Sequence, residues 1–197
     1  VLLGAQDCHE AEQGAHTGHI SAAMLEDCGC DFTLVGHSER RADDGETNTQ
    51  VKAKAERAIA HGVHAVVCVG ETQSERETGD YLQVIEKQLR ASLPAKHAAA
   101  DLTIAYEPVW AIGTGKTASL DDISEVHGHI KGIVSALQKE KEEDIPPRVI
   151  YGGSVNANNA LEILSLPVVD GVLVGGASLD AESFSNIIRA ASQAAGS

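Results

Sequence analysis

A glutamate follows the β-rich run Leu102–Ala105, in the order Tyr106-Glu107-Pro108-Val109-Trp110. A carboxylate set among apolar residues at a strand end is costly unless it is used or paired. Desolvation raises its pKa and strengthens it as a base. Two readings follow: a general base, or a buried ion-pair partner. The segment after it holds two glycines and a tryptophan, which suits a lid with rigid contents and flexible ends. That lid comprises Pro108, Val109, Trp110, Ala111, Ile112, Gly113, Thr114, Gly115, Lys116, Thr117 and Ala118. The string GTGKT within it is not a nucleotide loop. The phosphate-loop pattern needs a glycine where Trp110 stands, and the segment follows a Glu-Pro strand end.

A second candidate follows the run Phe32–Val35, in Gly36-His37-Ser38-Glu39-Arg40-Arg41. His37 would enter a helix whose N-terminal field disfavours imidazolium, so a neutral ring can donate a hydrogen bond to a carbonyl. The plain alternative is a loop histidine. Two glycine pairs come after the last two β-rich runs: Gly152-Gly153-Ser154 and Gly175-Gly176. Glycine lets backbone N–H groups approach an anion, and barrel enzymes hold phosphate after their last strands. The remaining histidines give no metal reading. His127 and His129 are two apart on a helix and do not face one ligand.

These residues need elements to position them. Nearly continuous apolar runs occur at Val1–Ala5, Phe32–Val35, Val63–Val69, Leu102–Ala105, Arg148–Tyr151 and Val168–Val174, as expected for strands covered on both faces. Between them, apolar residues recur at helical spacing: Val51, Ala55, Ala58 and Ile59; Tyr81, Ile85 and Leu89; Ile123, Val126, Ile130, Ile133, Val134 and Leu137. Ser119 or Asp121 can cap the third of these, and Ala181–Ala194 gives a final helix. Strict alternation predicts an α/β fold with parallel strands and right-handed crossovers, either an open doubly wound sheet or a (β/α)8 barrel. No composition break divides the chain, so residues 1–197 read as one domain.

Composition narrows the partners. The chain has 197 residues, 43% hydrophobic, with formal net charge -14. No basic face is available for nucleic acid or an anionic membrane. A small anion can still bind to backbone dipoles. Cys8, Cys28, Cys30 and Cys68 form no zinc spacing and read as reduced thiols of a cytoplasmic protein. No charged-then-apolar leader appears, and no apolar run approaches the roughly 20 residues of a spanning helix.

Taken together, GAQD (Gly4–Asp7), GAHTG (Gly14–Gly18), GHSERR (Gly36–Arg41), CVGET (Cys68–Thr72), AYEPVWAIGTGK (Ala105–Lys116), YGGSV (Tyr151–Val155) and DGVLVGGASL (Asp170–Leu179) resemble the triosephosphate isomerase family in order and spacing. The resemblance selects the (β/α)8 TIM barrel, with strands three to eight represented. It implies a phosphorylated triose substrate and no cofactor. Glu107 would move the proton, neutral His37 would polarise the carbonyl, and Glu39 would support the site from behind. Gly113, Ser154, Gly175 and Gly176 would hold the phosphate. The family is typically a homodimer. His16 and Thr17 would lie at a tip entering the neighbouring subunit, and Arg40 and Arg41 would brace the histidine loop by ion pairs with Glu46.

Two departures stand against that pattern. The family's Asn-x-Lys at the end of the first strand has no counterpart here, and the chain starts at Val1 within an apolar run. The sequence is therefore expected to be part of a longer chain, and a non-catalytic barrel fragment is the alternative function. His19 stands where the family usually has Glu after Thr-Gly, which weakens a cross-interface pair or makes it pH-sensitive. Other phosphate-binding barrels fit less well. A Schiff-base aldolase wants a lysine at a strand end inside the barrel, whereas Lys116 is on the lid, and a metal-dependent epimerase wants His and Asp at several strand ends.

Overall fold

The computed structural model describes residues 1–95, 101–112, 116–140 and 146–196, with no side-chain account of 138–140. Among these residues, six strands form one sheet, ordered β1 to β6 as in the sequence: Gly4–Ala5, Phe32–Val35, His64–Val69, Leu102–Tyr106, Arg148–Tyr151 and Gly171–Val172. Every pairing is parallel. The register Val35↔Val67, Val69↔Tyr106, Tyr106↔Tyr151 and Tyr151↔Val172 aligns the strand ends. All C-terminal ends therefore open onto one edge, where loops from neighbouring strands meet.

The central strands are the longest and the most buried. β4 is buried at all five residues, and β3 at all but His64. Alternate β3 side chains go to opposite faces. Ala65, Val67 and Val69 join the main core beneath the helices, while Val66 and Cys68 join Ala105 in a second apolar cluster with Phe32, Leu34, Ile150 and Leu173. The edge strands are shorter than the apolar runs predict. Only Gly4–Ala5 and Gly171–Val172 pair, and Val1, Leu2 and Leu3 are exposed.

Among the described residues, eight α-helices separate or follow these strands: α1 Ala22–Asp27, α2 Ser38–Asp43, α3 Asn48–Ala60, α4 Gln73–Thr78, α5 Tyr81–Ser92, α6 Leu120–Glu140, α7 Ala160–Leu164 and α8 Ala181–Ala195. The predicted apolar faces are the buried ones: Val51, Ala55 and Ala58 on α3; Ile85 and Leu89 on α5; Ile123, Val126, Ile130 and Val134 on α6. Ser119, not Asp121, caps α6. Its Oγ accepts from Asp122 N–H at 3.1 Å, and Asp122 Oδ2 accepts from Ser119 N–H at 3.1 Å. α3 and α4 each begin with a capping box, Thr47 with Gln50 and Thr72 with Glu75.

Candidate active site

Glu107 is the first residue past β4 and is only 2% exposed. The ladder carries on through it: Glu107 N–H donates to Val69 O at 2.8 Å, and Gly152 N–H donates to Tyr106 O at 2.7 Å. Its backbone is thus locked between the ends of β3 and β5. The neighbouring loops have no side chain where Glu107 needs room. A Cβ at Gly70 would overlap the Glu107 carbonyl, and one at Gly152 would come within 3.1 Å of Glu107 Cγ. The carboxylate is aimed at the loop after β2. Oε2 accepts from Ser38 N–H at 2.9 Å, and Oε1 lies 2.8 Å from His37 Nε2. That second approach is poorly aligned as a hydrogen bond, so Oε1 keeps acceptor capacity. A cleft of about 210 Å³ lies against Glu107, Ser38, Gly70 and Val109.

His37 is the N-cap of α2, its Nδ1 accepting from Glu39 N–H at 3.3 Å. An acceptor at Nδ1 leaves the proton on Nε2, the nitrogen that faces Glu107. Two influences oppose each other on this ring. The adjacent Glu107 carboxylate, 2.8 Å from Nε2, raises its pKa above the ordinary value, while burial lowers it. The first turn of α2 also disfavours a proton on Nδ1. The neutral ring expected from the helix start therefore holds a narrower margin here, because the carboxylate is adjacent. Glu39 reaches His37 through its backbone; its side chain is 78% exposed, with the carboxylate 3.8 Å from Nδ1.

The bracing of this loop differs from the predicted ion pairs. Arg40 pairs with Asp7 at 3.2 Å and Asp44 at 3.0 Å, and Glu46 pairs instead with buried Lys54. Lys54 also contacts Asp7 at 2.8 Å. Burial works to lower the Lys54 pKa, but hydrogen bonds to Asp7 and Glu46 hold it above the ordinary value. Arg41 donates to Gly36 O at 2.8 Å, Asn48 Oδ1 at 2.7 Å, Cys68 O at 3.1 Å and Ser92 Oγ at 3.3 Å. Its guanidinium satisfies buried oxygens at the ends of β2 and β3, a task its five donors suit.

Glu71 is a site residue that sequence reasoning passed over. It is fully buried in the loop after β3, and Oε1 accepts from Trp110 Nε1 at 2.8 Å and Tyr106 OH at 3.1 Å. Burial raises its pKa, against the hydrogen bonds it accepts. The signal was present: the argument that singles out Glu107, a carboxylate just past an apolar strand, applies equally to Glu71. Of the predicted lid, Pro108 and Ala111 are buried, and Val109–Ala111 form a 3-10 turn. Lys116 donates to Gln73 Oε1 at 3.2 Å. Thr117 is exposed and Ala118 half-buried. Gly113, Thr114 and Gly115 lie outside the described residues.

Of the predicted phosphate residues, Ser154, Gly175 and Gly176 share the same edge of the sheet. Ser154 follows β5, and Gly175 and Gly176 follow β6; Leu173 N–H donates to Tyr151 O at 2.8 Å, tying the two loop starts together. Gly175 and Gly176 have open space where a Cβ would project. His16 and Thr17 are exposed at the predicted tip, where His16 stacks on His9 with ring centroids 4.0 Å apart. A larger cleft, about 650 Å³ between β6 and α8, is lined by apolar residues such as Leu166, Phe184 and Ile188 and holds none of the site residues.

Known proteins resemble this chain over most of its length. The family model described as Triosephosphate isomerase matches residues 1–191. The chain is 50% identical over 194 residues to the triosephosphate isomerase of Jannaschia sp. (strain CCS1), covering 98% of this chain and 77% of that protein. It is 51% identical over 190 residues to that of Ruegeria sp. (strain TM1040), covering 96% and 76%. A crystal structure of triosephosphate isomerase from Bartonella henselae superposes with a TM-score of 0.89 at 42% identity, covering 96% of this chain and 77% of that one. The six parallel strands are accordingly part of a TIM-barrel fold, and the chain belongs to the triosephosphate isomerase family.

Proposed function

We propose that Glu107 is the base of a triosephosphate isomerase reaction, interconverting dihydroxyacetone phosphate and D-glyceraldehyde 3-phosphate through an enediol(ate). The observation that carries this reading is the buried Glu107 carboxylate, held by Ser38 N–H at 2.9 Å and facing His37 Nε2 at 2.8 Å. Glu107 takes the proton from one substrate carbon and returns it to the other. His37, with its proton on Nε2, donates to the substrate oxygens once Glu107 turns toward the substrate. Glu39 supports it mainly through the backbone N–H that fixes the tautomer. The N–H groups of Gly113, Ser154, Gly175 and Gly176 hold the phosphate dianion, which lets a chain of net charge -14 bind an anion. The lid from Pro108 to Ala118 excludes water and keeps the intermediate from losing phosphate. No cofactor enters this chemistry.

The working form is a cytoplasmic homodimer of single-domain barrels, in which residues 1–197 form one body. The tip bearing His16 and Thr17 contacts the neighbouring subunit, with Arg40 at the base of that contact. The test is steady-state kinetics on the full-length protein. Glu107→Gln is expected to lower kcat by about two to four orders of magnitude, the usual contribution of a positioned base. Wild-type turnover in that variant would show that the base lies elsewhere.

A further inference from the structure

Between α4, α5 and α6 lies a stack of groups that, apart from the lid residue Trp110, the proposed chemistry does not use. Arg76 Cζ is 3.9 Å from the centroid of the Tyr81 ring and 5.6 Å from that of Trp110. The same guanidinium pairs with Asp122 and lies 3.5 Å from Glu71 Oε1. Glu71 Oε1 in turn accepts from the Trp110 indole. Tyr81 begins α5, and its hydroxyl donates to Glu125 Oε2 on α6 at 2.6 Å. The ring is thereby tied to a second helix while its face covers the guanidinium. A cation over an aromatic face is attracted by the ring's quadrupole, most strongly where water is partly excluded, and Arg76 is only 16% exposed.

We infer that Tyr81 is a positioning residue for the lid. Its ring fixes the Arg76 guanidinium, and Arg76 together with Glu71 fixes the indole of Trp110 at the lid's N-terminal end. The inference rests on the proposed isomerase reading, since it gives Trp110 a lid to anchor. Tyr81 touches no reacting atom; it acts through Arg76. Loss of the ring would loosen the indole, slow productive closure and expose the enediolate to expulsion of its phosphate group. In that side reaction the C–O bond to phosphate breaks, the enediolate electrons form the new carbon–carbon double bond, and inorganic phosphate leaves.

Trp110 is the only tryptophan in residues 1–197, and its emission is isolated as the difference from a Trp110→Phe variant of the same protein. The experiment compares wild type, Tyr81→Phe and Tyr81→Leu in the full-length protein, with Tyr81→Thr replacing the leucine variant if that fails to fold. Four quantities are read: Trp110 emission with acrylamide quenching, kcat, KM, and inorganic phosphate released per turnover. Tyr81→Leu is expected to shift emission to the red and increase quenching. Its kcat falls roughly three- to tenfold, as expected for a cation–π contact, with a smaller change in KM and more phosphate released. Tyr81→Phe keeps the ring and stays near wild type. Wild-type emission, kcat and phosphate release in Tyr81→Leu would overturn the inference, as would equal losses in the Phe and Leu variants. If the wild-type protein does not isomerise triose phosphate, the functional reading fails, while the emission arm still tests the contact itself.

Discussion

At the scale of single residues, burial and backbone N–H groups set the chemistry. Glu107 shows how a carboxylate is kept usable in an apolar setting: one oxygen is satisfied by Ser38 N–H, and the other faces a histidine without a well-aligned bond. The strand-end position made Glu107 and His37 legible in the sequence. The Ser38 contact was not, because a backbone donor leaves no residue-type signal. His127 was missed for a different reason. Considered only as half of a possible metal pair with His129, it lies on the same face of α6 as Ile123 and Ile130 and is fully buried. Its Nδ1 is 3.2 Å from Val168 O, and Nε2 has no hydrogen-bond partner among the described residues. Burial lowers its pKa from 6.5 to about 4. Between those values the unfolded chain binds a proton that the folded chain does not. Stability therefore falls as pH drops through that window, by on the order of 3 kcal/mol in full. Chemical denaturation at a series of pH values is expected to show this acid slope in the wild type and a shallower one in His127→Gln. An equal slope in both would remove His127 as its source.

At the scale of elements, helices and interior strands were legible because their periodicity reports burial directly. α3, α5 and α6 bury the residues their spacing picks out. The first and last apolar runs pair over two residues each, Gly4–Ala5 and Gly171–Val172. The loops after the strands carry most of the functional information, and their glycines have particular tasks. Gly70 follows β3 where the chain passes closest to Glu107; its N–H donates to Gln88 Oε1 at 2.7 Å. Gly70→Ala forces a Cβ into the Glu107 carbonyl. The expected result is a loss of about 1–3 kcal/mol of stability, as for overpacking elsewhere, together with reduced kcat from a displaced Glu107. Thermal melts and kinetics on the same preparation check it, and an unchanged kcat would mean that the backbone at Glu107 yields without moving the carboxylate. The Arg40 and Arg41 bracing was misread for a related reason. Charge counting pairs arginines with glutamates, whereas the nearest buried acceptors of Arg41 are carbonyl and side-chain oxygens of neutral groups.

At the scale of the whole molecule, six parallel strands in sequence order bring loops as far apart in the chain as Gly36 and Gly176 onto one edge. Alternation alone left an open sheet and a barrel equally admissible; the motif order separated them. The exposed tip with His16 and Thr17 projects from this body, and the proposed homodimer places it against a neighbour. Thr17→Arg on the full-length protein is expected to shift the species seen by sedimentation from dimer to monomer and to lower activity with it. A dimer of unchanged affinity would place the subunit contact elsewhere. The most direct test of the central claim follows hydrogen at the substrate carbon. In deuterium oxide, wild-type protein is expected to incorporate solvent deuterium into dihydroxyacetone phosphate, observed by NMR. Glu107→Gln is expected to bind the substrate and incorporate almost none. Deuterium incorporation by Glu107→Gln at the wild-type rate would contradict the account.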